Sequence, residues 1–229
     1  MEIKGLQKLT LLDYPDRIAC TVFLGGCNFR CPFCHNGSLV LPDRFGESIS
    51  EDELTSFLES RRGRLSGVCI SGGEPTLNRD LAEFIKRIKD LGYLIKLDTN
   101  GTNPDMLRSL ISDGLIDYVA MDIKSSREGY ALAVGECSLD ISKIEESADI
   151  LMRSGLDFEF RTTVVRELHT PSDIESIGKW LSGGEKYYLQ SYLDSPDVIK
   201  NGFSAYSEAE MRELCKILRA FIPLAQIRN

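Results

Sequence analysis

Cys27, Cys31 and Cys34 are spaced CxxxCxxC in the run Gly25-Gly26-Cys27-Asn28-Phe29-Arg30-Cys31-Pro32-Phe33-Cys34-His35-Asn36. The run directly follows an apolar segment, Ile18 to Leu24, that reads as a strand. Three thiolates on one short loop can hold three corners of a 4Fe-4S cube, which needs four ligands, so one iron is left without a protein donor. An electron carrier would close its cluster with a fourth Cys. An open iron points instead to a substrate or cofactor that completes the coordination.

The same residues admit rival readings. Cys31-Pro32-Phe33-Cys34-His35 matches the CxxCH pattern of c-type haem attachment, and its Cys-Pro-x-Cys core matches a thioredoxin redox pair. Haem attachment expects an exported protein, yet Met1 to Pro15 contains Glu2, Lys4, Lys8 and Asp13 and lacks the apolar core of a signal peptide. A thioredoxin pair has no use for Cys27. Zinc bound as Cys3His is the third rival, although His35 is adjacent to Cys34 and structural zinc ligands usually come as two separated pairs.

Composition limits the function classes. A chain of 229 residues with 42% hydrophobic residues suits one domain, 1–229, with a closed core, and no run is long enough to cross a bilayer. A formal charge of -8 argues against a nucleic acid partner, which would want a basic face. The basic cluster Arg61-Arg62-Gly63-Arg64 sits where a helix should end and suits the helix dipole. Seven cysteines and no export signal imply thiols in a reducing, cytoplasmic compartment. Cys20, Cys69 and Cys215 lie in apolar patterns and read as small buried hydrophobes.

The pattern alternates six times between a short apolar run and an amphipathic helix, the signature of parallel strands joined by helical crossovers. The expected strands are 18–24, 67–71, 94–98, 118–123, 158–165 and 186–192. Ser50 with Glu53, and Ser207 with Glu210, predict capping boxes. Asn103-Pro104 and Thr170-Pro171 put Pro at the first helical position, and Gly92, Gly114 and Gly155 terminate helices. Asp194 to Tyr206 reads as a loop. Six units are too few for a complete eight-unit barrel, which leaves a partial, splayed barrel or an open doubly wound sheet. In either, functional loops gather beyond the carboxyl ends of the strands.

Those ends are polar. The second strand leads to Ser71-Gly72-Gly73-Glu74-Pro75, where paired glycines allow close backbone approach and Glu74 offers a carboxylate to an ammonium group; a plain tight turn is the alternative. The third ends Asp98-Thr99-Asn100-Gly101, suited to hydroxyls or a cation, and equally to a simple turn. The fourth ends Met121-Asp122-Ile123-Lys124, whose Asp122 and Lys124 share a face as a ligand pair or a salt bridge. An open iron, a carboxylate for an amine, a cation for a carboxylate and acceptors for sugar hydroxyls together suit an amino acid joined to a nucleoside.

On these motifs, with Leu11-Leu12-Asp13-Tyr14-Pro15 and Glu159-Phe160-Arg161-Thr162-Thr163-Val164-Val165, the chain resembles the radical S-adenosylmethionine (SAM) enzymes and, more narrowly, the glycyl-radical-enzyme activases, most of all those serving anaerobic ribonucleoside-triphosphate reductase. The resemblance implies an α/β fold, a partial (β/α)6 TIM-like barrel. It implies one 4Fe-4S cluster on Cys27, Cys31 and Cys34, S-adenosylmethionine, and room for a monovalent cation. Phe33 and His35 would lie against the adenine, and Gly72, Gly73 and Glu74 would receive the methionyl amine. Asp98, Asp122 and Lys124 would meet the ribose and carboxylate or a cation, with Arg161 a further candidate.

The implied activity is reductive cleavage of S-adenosylmethionine to a 5′-deoxyadenosyl radical, which takes a hydrogen atom from a glycine of a partner glycyl radical enzyme. A flavodoxin- or ferredoxin-type donor would supply the electron, and no side chain is assigned as a catalytic proton donor. No Cys lies between Cys34 and Cys69, which suggests the short, single-cluster type. Gln190-Ser191-Tyr192-Leu193 stands where the pyruvate formate-lyase activating enzyme has a cofactor-contacting His, which disfavours that partner. The alternatives are a radical SAM enzyme acting on a small molecule, an activase of another glycyl radical enzyme, and a non-enzymatic iron or zinc protein.

Overall fold

A computed structural model describes residues 1–228. Its frame is an eight-stranded sheet with the strands in chain order: β1 (Ile3–Thr10), β2 (Ala19–Leu24), β3 (Gly67–Gly72), β4 (Leu94–Thr99), β5 (Tyr118–Asp122), β6 (Asp157–Val164), β7 (Tyr187–Ser191) and β8 (Gln226–Arg228). β1 runs antiparallel to β2, and all later neighbours pair in parallel. The two end strands, β1 and β8, do not pair, so the sheet is unclosed. It is nevertheless curved, because Phe23 on β2 and Gln190 on β7 line the same cavity. The six βα units expected from the sequence are β2 to β7, and the partial barrel is the architecture found.

The helices are α1 (Gly37–Val40), α2 (Glu51–Arg61), α3 (Leu81–Asp90), α4 (Pro104–Ser112), α5 (Tyr130–Val134), α6 (Ile141–Ser154), α7 (Pro171–Trp180) and α8 (Glu208–Arg219). Both expected capping boxes form, Ser50 with Glu53 at α2 and Ser207 with Glu210 at α8, and Thr170 with Asp173 adds a third at α7. Each satisfies orphan N–H groups of a first turn and so fixes where the helix begins. Gly155 ends α6 in the left-handed region at φ 71°, where an L side chain would be strained.

Strand alternation divides the molecule into an apolar outer layer and a polar interior. On β4, Ile95 and Leu97 point to the helices and are fully buried with Leu81, Phe84 and Ile85 in the main core. Lys96 and Asp98 occupy the opposite face. Apolar packing between sheet and helices supplies the driving force for the fold, which leaves the barrel interior free to carry charge.

Two strands were not anticipated. β1 carries Lys4, Gln7 and Lys8 among its eight residues and is largely exposed along its second half, as an edge strand can be. β8 has only three residues, too few for a periodicity signal. It is held by Arg228, whose guanidinium donates to both oxygens of the fully buried Glu159 at 2.7 and 3.0 Å and stacks on Tyr188 at 3.6 Å. Tyr118 also donates to Glu159, at 2.9 Å. A bidentate, stacked arginine can fix an edge that few ladder hydrogen bonds would hold.

Candidate functional site

The cysteine loop leaves β2 at Gly25 and reaches α1 without regular structure, so its backbone groups must be satisfied by neighbours. Gly26 donates to Leu39 at 2.8 Å, and its own carbonyl accepts from the Glu74 N–H at 2.8 Å. Arg30 donates to the Val134 carbonyl at 2.9 Å. The segment after β7 completes the framework: Ile199 donates to Cys34 at 3.1 Å and Lys200 to Pro32 at 2.8 Å. Gly37 N–H donates to the Asp197 carbonyl at 3.0 Å, while Ser38 gives its N–H and hydroxyl to the Asp197 carboxylate at 2.9 and 2.7 Å. Asp194 to Tyr206 is irregular as expected, yet it straps the cysteine loop down.

Gly73 packs so closely on this loop that a Cβ there would stand 1.9 Å from the Gly26 carbonyl oxygen. A Cβ at Gly72 would meet the Leu24 carbonyl at 2.2 Å. The glycine pair therefore seats the loop as well as exposing backbone to the cavity.

Cys27, Cys31 and Cys34 line one cavity of about 360 Å³ at the carboxyl ends of the parallel strands, together with Phe33, His35, Gly72, Gly73, Asp98, Asp122 and Lys124. Arg161 lines it too, so eleven of the twelve residues singled out in the sequence share one space. Phe33 is buried, with His169 and Phe203 edge-on to its ring at 6.1 and 6.5 Å, and His35 stands exposed at the rim. Burial pushes the Cys27 thiol up to about 11, partly offset by the Phe29 N–H, and the Cys31 thiol up to about 12. Cys34 moves the same way for the same reason. A redox-active pair needs a lowered thiol pKa, so this environment disfavours the thioredoxin reading.

Glu74 is the twelfth residue and does not line the cavity. Its carboxylate is buried and accepts from the Thr76 N–H (3.0 Å), the Thr76 hydroxyl (2.5 Å), the Thr99 hydroxyl (2.8 Å) and the Asn100 N–H (2.6 Å). Desolvation pushes its pKa up, against those four donors. The carboxylate ties the ends of β3 and β4 together. Asn100 continues the tie by donating to Asn28 of the cysteine loop at 2.9 Å.

The cavity floor is a row of alternating charges. Lys96 binds Asp98, whose other oxygen accepts from Ser71 at 3.0 Å and faces Arg161 at 3.4 Å. Arg161 also binds Asp122 at 3.0 Å, and Asp122 accepts from Lys124 at 2.9 Å. Burial works to raise both acids, but Arg161 with Lys96 outweighs it at Asp98 and Arg161 with Lys124 at Asp122, so both stay below the usual carboxylate range. Arg161 reaches Asp98 across β5 because the residue in register with Asp98 is Ala120, whose methyl leaves the path open.

Sequence reasoning missed Lys96, His169 and Asp197. Lys96 did carry a signal, since a lysine between Ile95 and Leu97 in a buried strand demands a partner. His169 and Asp197 sit in irregular segments, and nothing local links them to the cysteine loop.

Residues 21–181 match the radical SAM superfamily. The chain belongs to it. Along 99% of its length it is 34% identical, over 236 residues, to a candidate glycyl-radical enzyme activating enzyme of Methanocaldococcus jannaschii, covering 95% of that protein. It therefore belongs with that activating-enzyme family inside the superfamily. The fold is shared with Streptococcus suis SuiB bound to S-adenosylmethionine (TM-score 0.70, 13% identity, 91% of this chain and 52% of that one). It is shared as well with a domain of the pyruvate-formate lyase-activating enzyme of Bacteroides vulgatus (TM-score 0.59, 18% identity, 72% of this chain and 99% of that one).

Membership implies a 4Fe-4S cluster and S-adenosylmethionine, and the residues present fit both. Three unpaired cysteines face one cavity, and their buried thiols would ionise only beside a positive centre such as iron. Among the described residues no three His, Cys, Asp or Glu donors are grouped as a single-ion site. Also among the described residues, no helix is long and apolar enough to cross a membrane.

Proposed function

We propose that this radical SAM enzyme is an activase that installs a glycyl radical on a partner enzyme, most specifically an anaerobic ribonucleoside-triphosphate reductase. The observation that carries the reading is the joining of three thiols and a charged floor in one cavity at the strand ends, in a chain alike end to end with an activating-enzyme relative. Cluster and S-adenosylmethionine, when bound, supply reductive cleavage to a 5′-deoxyadenosyl radical. Cys27, Cys31 and Cys34 would hold three irons and leave the fourth to the cofactor.

The remaining residues bind and orient. The backbone of Gly72 and Gly73 receives the methionyl amine, with Glu74 acting from behind by fixing the turn. Phe33 and His35 flank the adenine, and Asp98, Asp122 and Lys124 meet ribose and carboxylate. Holding the cleaved bond within reach of a glycine α-carbon is the protein's main contribution to rate, since hydrogen transfer needs no side-chain acid or base. The unclosed sheet gives a glycine loop a way in. A flavodoxin- or ferredoxin-type protein is the proposed electron donor and the cytoplasm the proposed compartment.

The test is anaerobic reconstitution followed by electron paramagnetic resonance with dithionite, S-adenosylmethionine and a candidate reductase carrying a glycine loop. A persistent doublet that requires every component is expected. Cofactor cleavage with no doublet for any such partner would transfer the reading to a small-molecule substrate, and absence of cleavage would overturn it.

A further inference from the structure

Lys96 is an ammonium group placed inside the barrel with 1% of its side chain exposed. It lies two residues before Asp98 on β4, hence on the same face, directly beneath a carboxylate that lines the cavity. Its ammonium binds Asp98 Oδ1 and stands 3.8 Å from the Cys69 sulfur. Asp98 Oδ2 is engaged by Ser71 and Arg161. Both oxygens of the neighbouring Asp122 are likewise taken, by Arg161 and Lys124.

A hard monovalent cation needs oxygen ligands whose negative charge is not already balanced by protein cations. Here the two floor carboxylates are already served by three cationic side chains. Another cation would meet Lys96, Arg161 and Lys124 in a space of low dielectric, where like charges repel strongly. The residues present do not fit the monovalent cation that the resemblance allowed.

We propose that Lys96 is the built-in counter-cation of Asp98 and does the work of a bound monovalent cation at the cavity floor, holding Asp98 ionised and aimed at the ribose. Lys96 is a positioning residue in this arrangement: it touches Asp98, not the cofactor. Burial alone would favour a neutral amine, yet the Asp98 charge holds its pKa above the ordinary lysine value. The inference rests on the reading that S-adenosylmethionine occupies this cavity.

The experiment measures calorimetric affinity of the cluster-loaded enzyme for S-adenosylmethionine, in potassium chloride and in tetramethylammonium chloride of equal ionic strength. Native protein is expected to bind equally well in both. Lys96→Ala, which removes the charge and opens space, is expected to bind about tenfold more weakly in tetramethylammonium and to recover in potassium, while Lys96→Met, which fills the space, stays about tenfold weaker in both. A potassium requirement in the native enzyme would overturn the proposal and leave the cofactor reading intact, and this comparison needs no variant to fold. Native-like affinity of Lys96→Ala in both salts would overturn it as well. Failure of the native enzyme to bind S-adenosylmethionine in either salt would instead overturn the cofactor reading, and the proposal with it.

Discussion

The His169 imidazole donates from Nε2 to the backbone carbonyl of Lys124 at 2.7 Å. In the neutral ring Nδ1 accepts the Val165 N–H at 2.9 Å; in the charged ring it would donate to the Val165 carbonyl, 3.1 Å away. A neutral, fully buried histidine thereby joins the segment after β6 to the end of β5 beside the cavity, with its ring edge-on to Phe33. Burial holds its pKa below the ordinary value, against the opposing effect of the Lys124 and Val165 carbonyls.

The sign of the pH effect follows. Between the lowered native pKa and the unfolded value of about 6.5, the unfolded chain binds more protons, so stability is complete above about pH 6.5 and declines as pH falls. Urea denaturation of the native chain should show that decline, and His169→Gln should flatten it while costing about 1–3 kcal/mol at neutral pH. Equal pH slopes in the two proteins would remove His169 as the source.

Cys31→Ala should abolish cluster binding and cofactor cleavage together, with reconstituted iron falling from about four per chain to less than about one. Cys215 is also buried, but it lies on α8 with its thiol toward the Ala225 carbonyl. Cys215→Ala should retain both iron and cleavage. Iron assay and product chromatography read the two outcomes, and matching losses would contradict the ligand assignment.

Gly73→Ala tests the seat of the cysteine loop. The added methyl meets the Gly26 carbonyl at 1.9 Å, backbone that cannot yield without moving Cys27. A cost of about 1–3 kcal/mol and defective cluster retention are expected, the cost being that of overpacking. Gly46 has open space around its Cβ direction and no positive φ, so Gly46→Ala should stay within about 0.5 kcal/mol of the native chain. Thermal unfolding and iron content distinguish them.

Asp197→Ala removes the acceptor of the Ser38 N–H and hydroxyl. The strap should then open more often, and iron release to a chelator should accelerate about tenfold, equivalent to a net loss of about 1.4 kcal/mol for the Ser38 hydrogen bonds together. Asp197→Asn, which keeps one acceptor oxygen, should fall between the two. Identical release rates in all three proteins would show that the strap does not govern access to the loop.

The expected strands stood within one or two residues of those found, and the capping boxes formed where Ser50 and Ser207 signalled them. These features were legible because a helix start or a buried strand is written in residues three or four apart. The cavity was legible for a related reason: in a parallel barrel every strand end faces the same way, so motifs at consecutive ends must meet. The orientation of Glu74 was not legible, because whether a carboxylate faces ligand or protein depends on donors such as Thr99 and the Asn100 N–H, which another strand delivers.

The sequence by itself determined the unit order, the helix ends marked by capping, proline or glycine residues and the identity of the loop thiols, since each depends on neighbours along the chain and on the period of burial. Only the tertiary structure decided which partners the charges take. Ser38 and Asp197 are 159 residues apart, Lys124 and His169 are 45 apart, and no local pattern encodes such meetings. They arise when apolar packing between sheet and helices closes the core, after which the buried polar groups inside must find whatever partners that geometry has brought within reach.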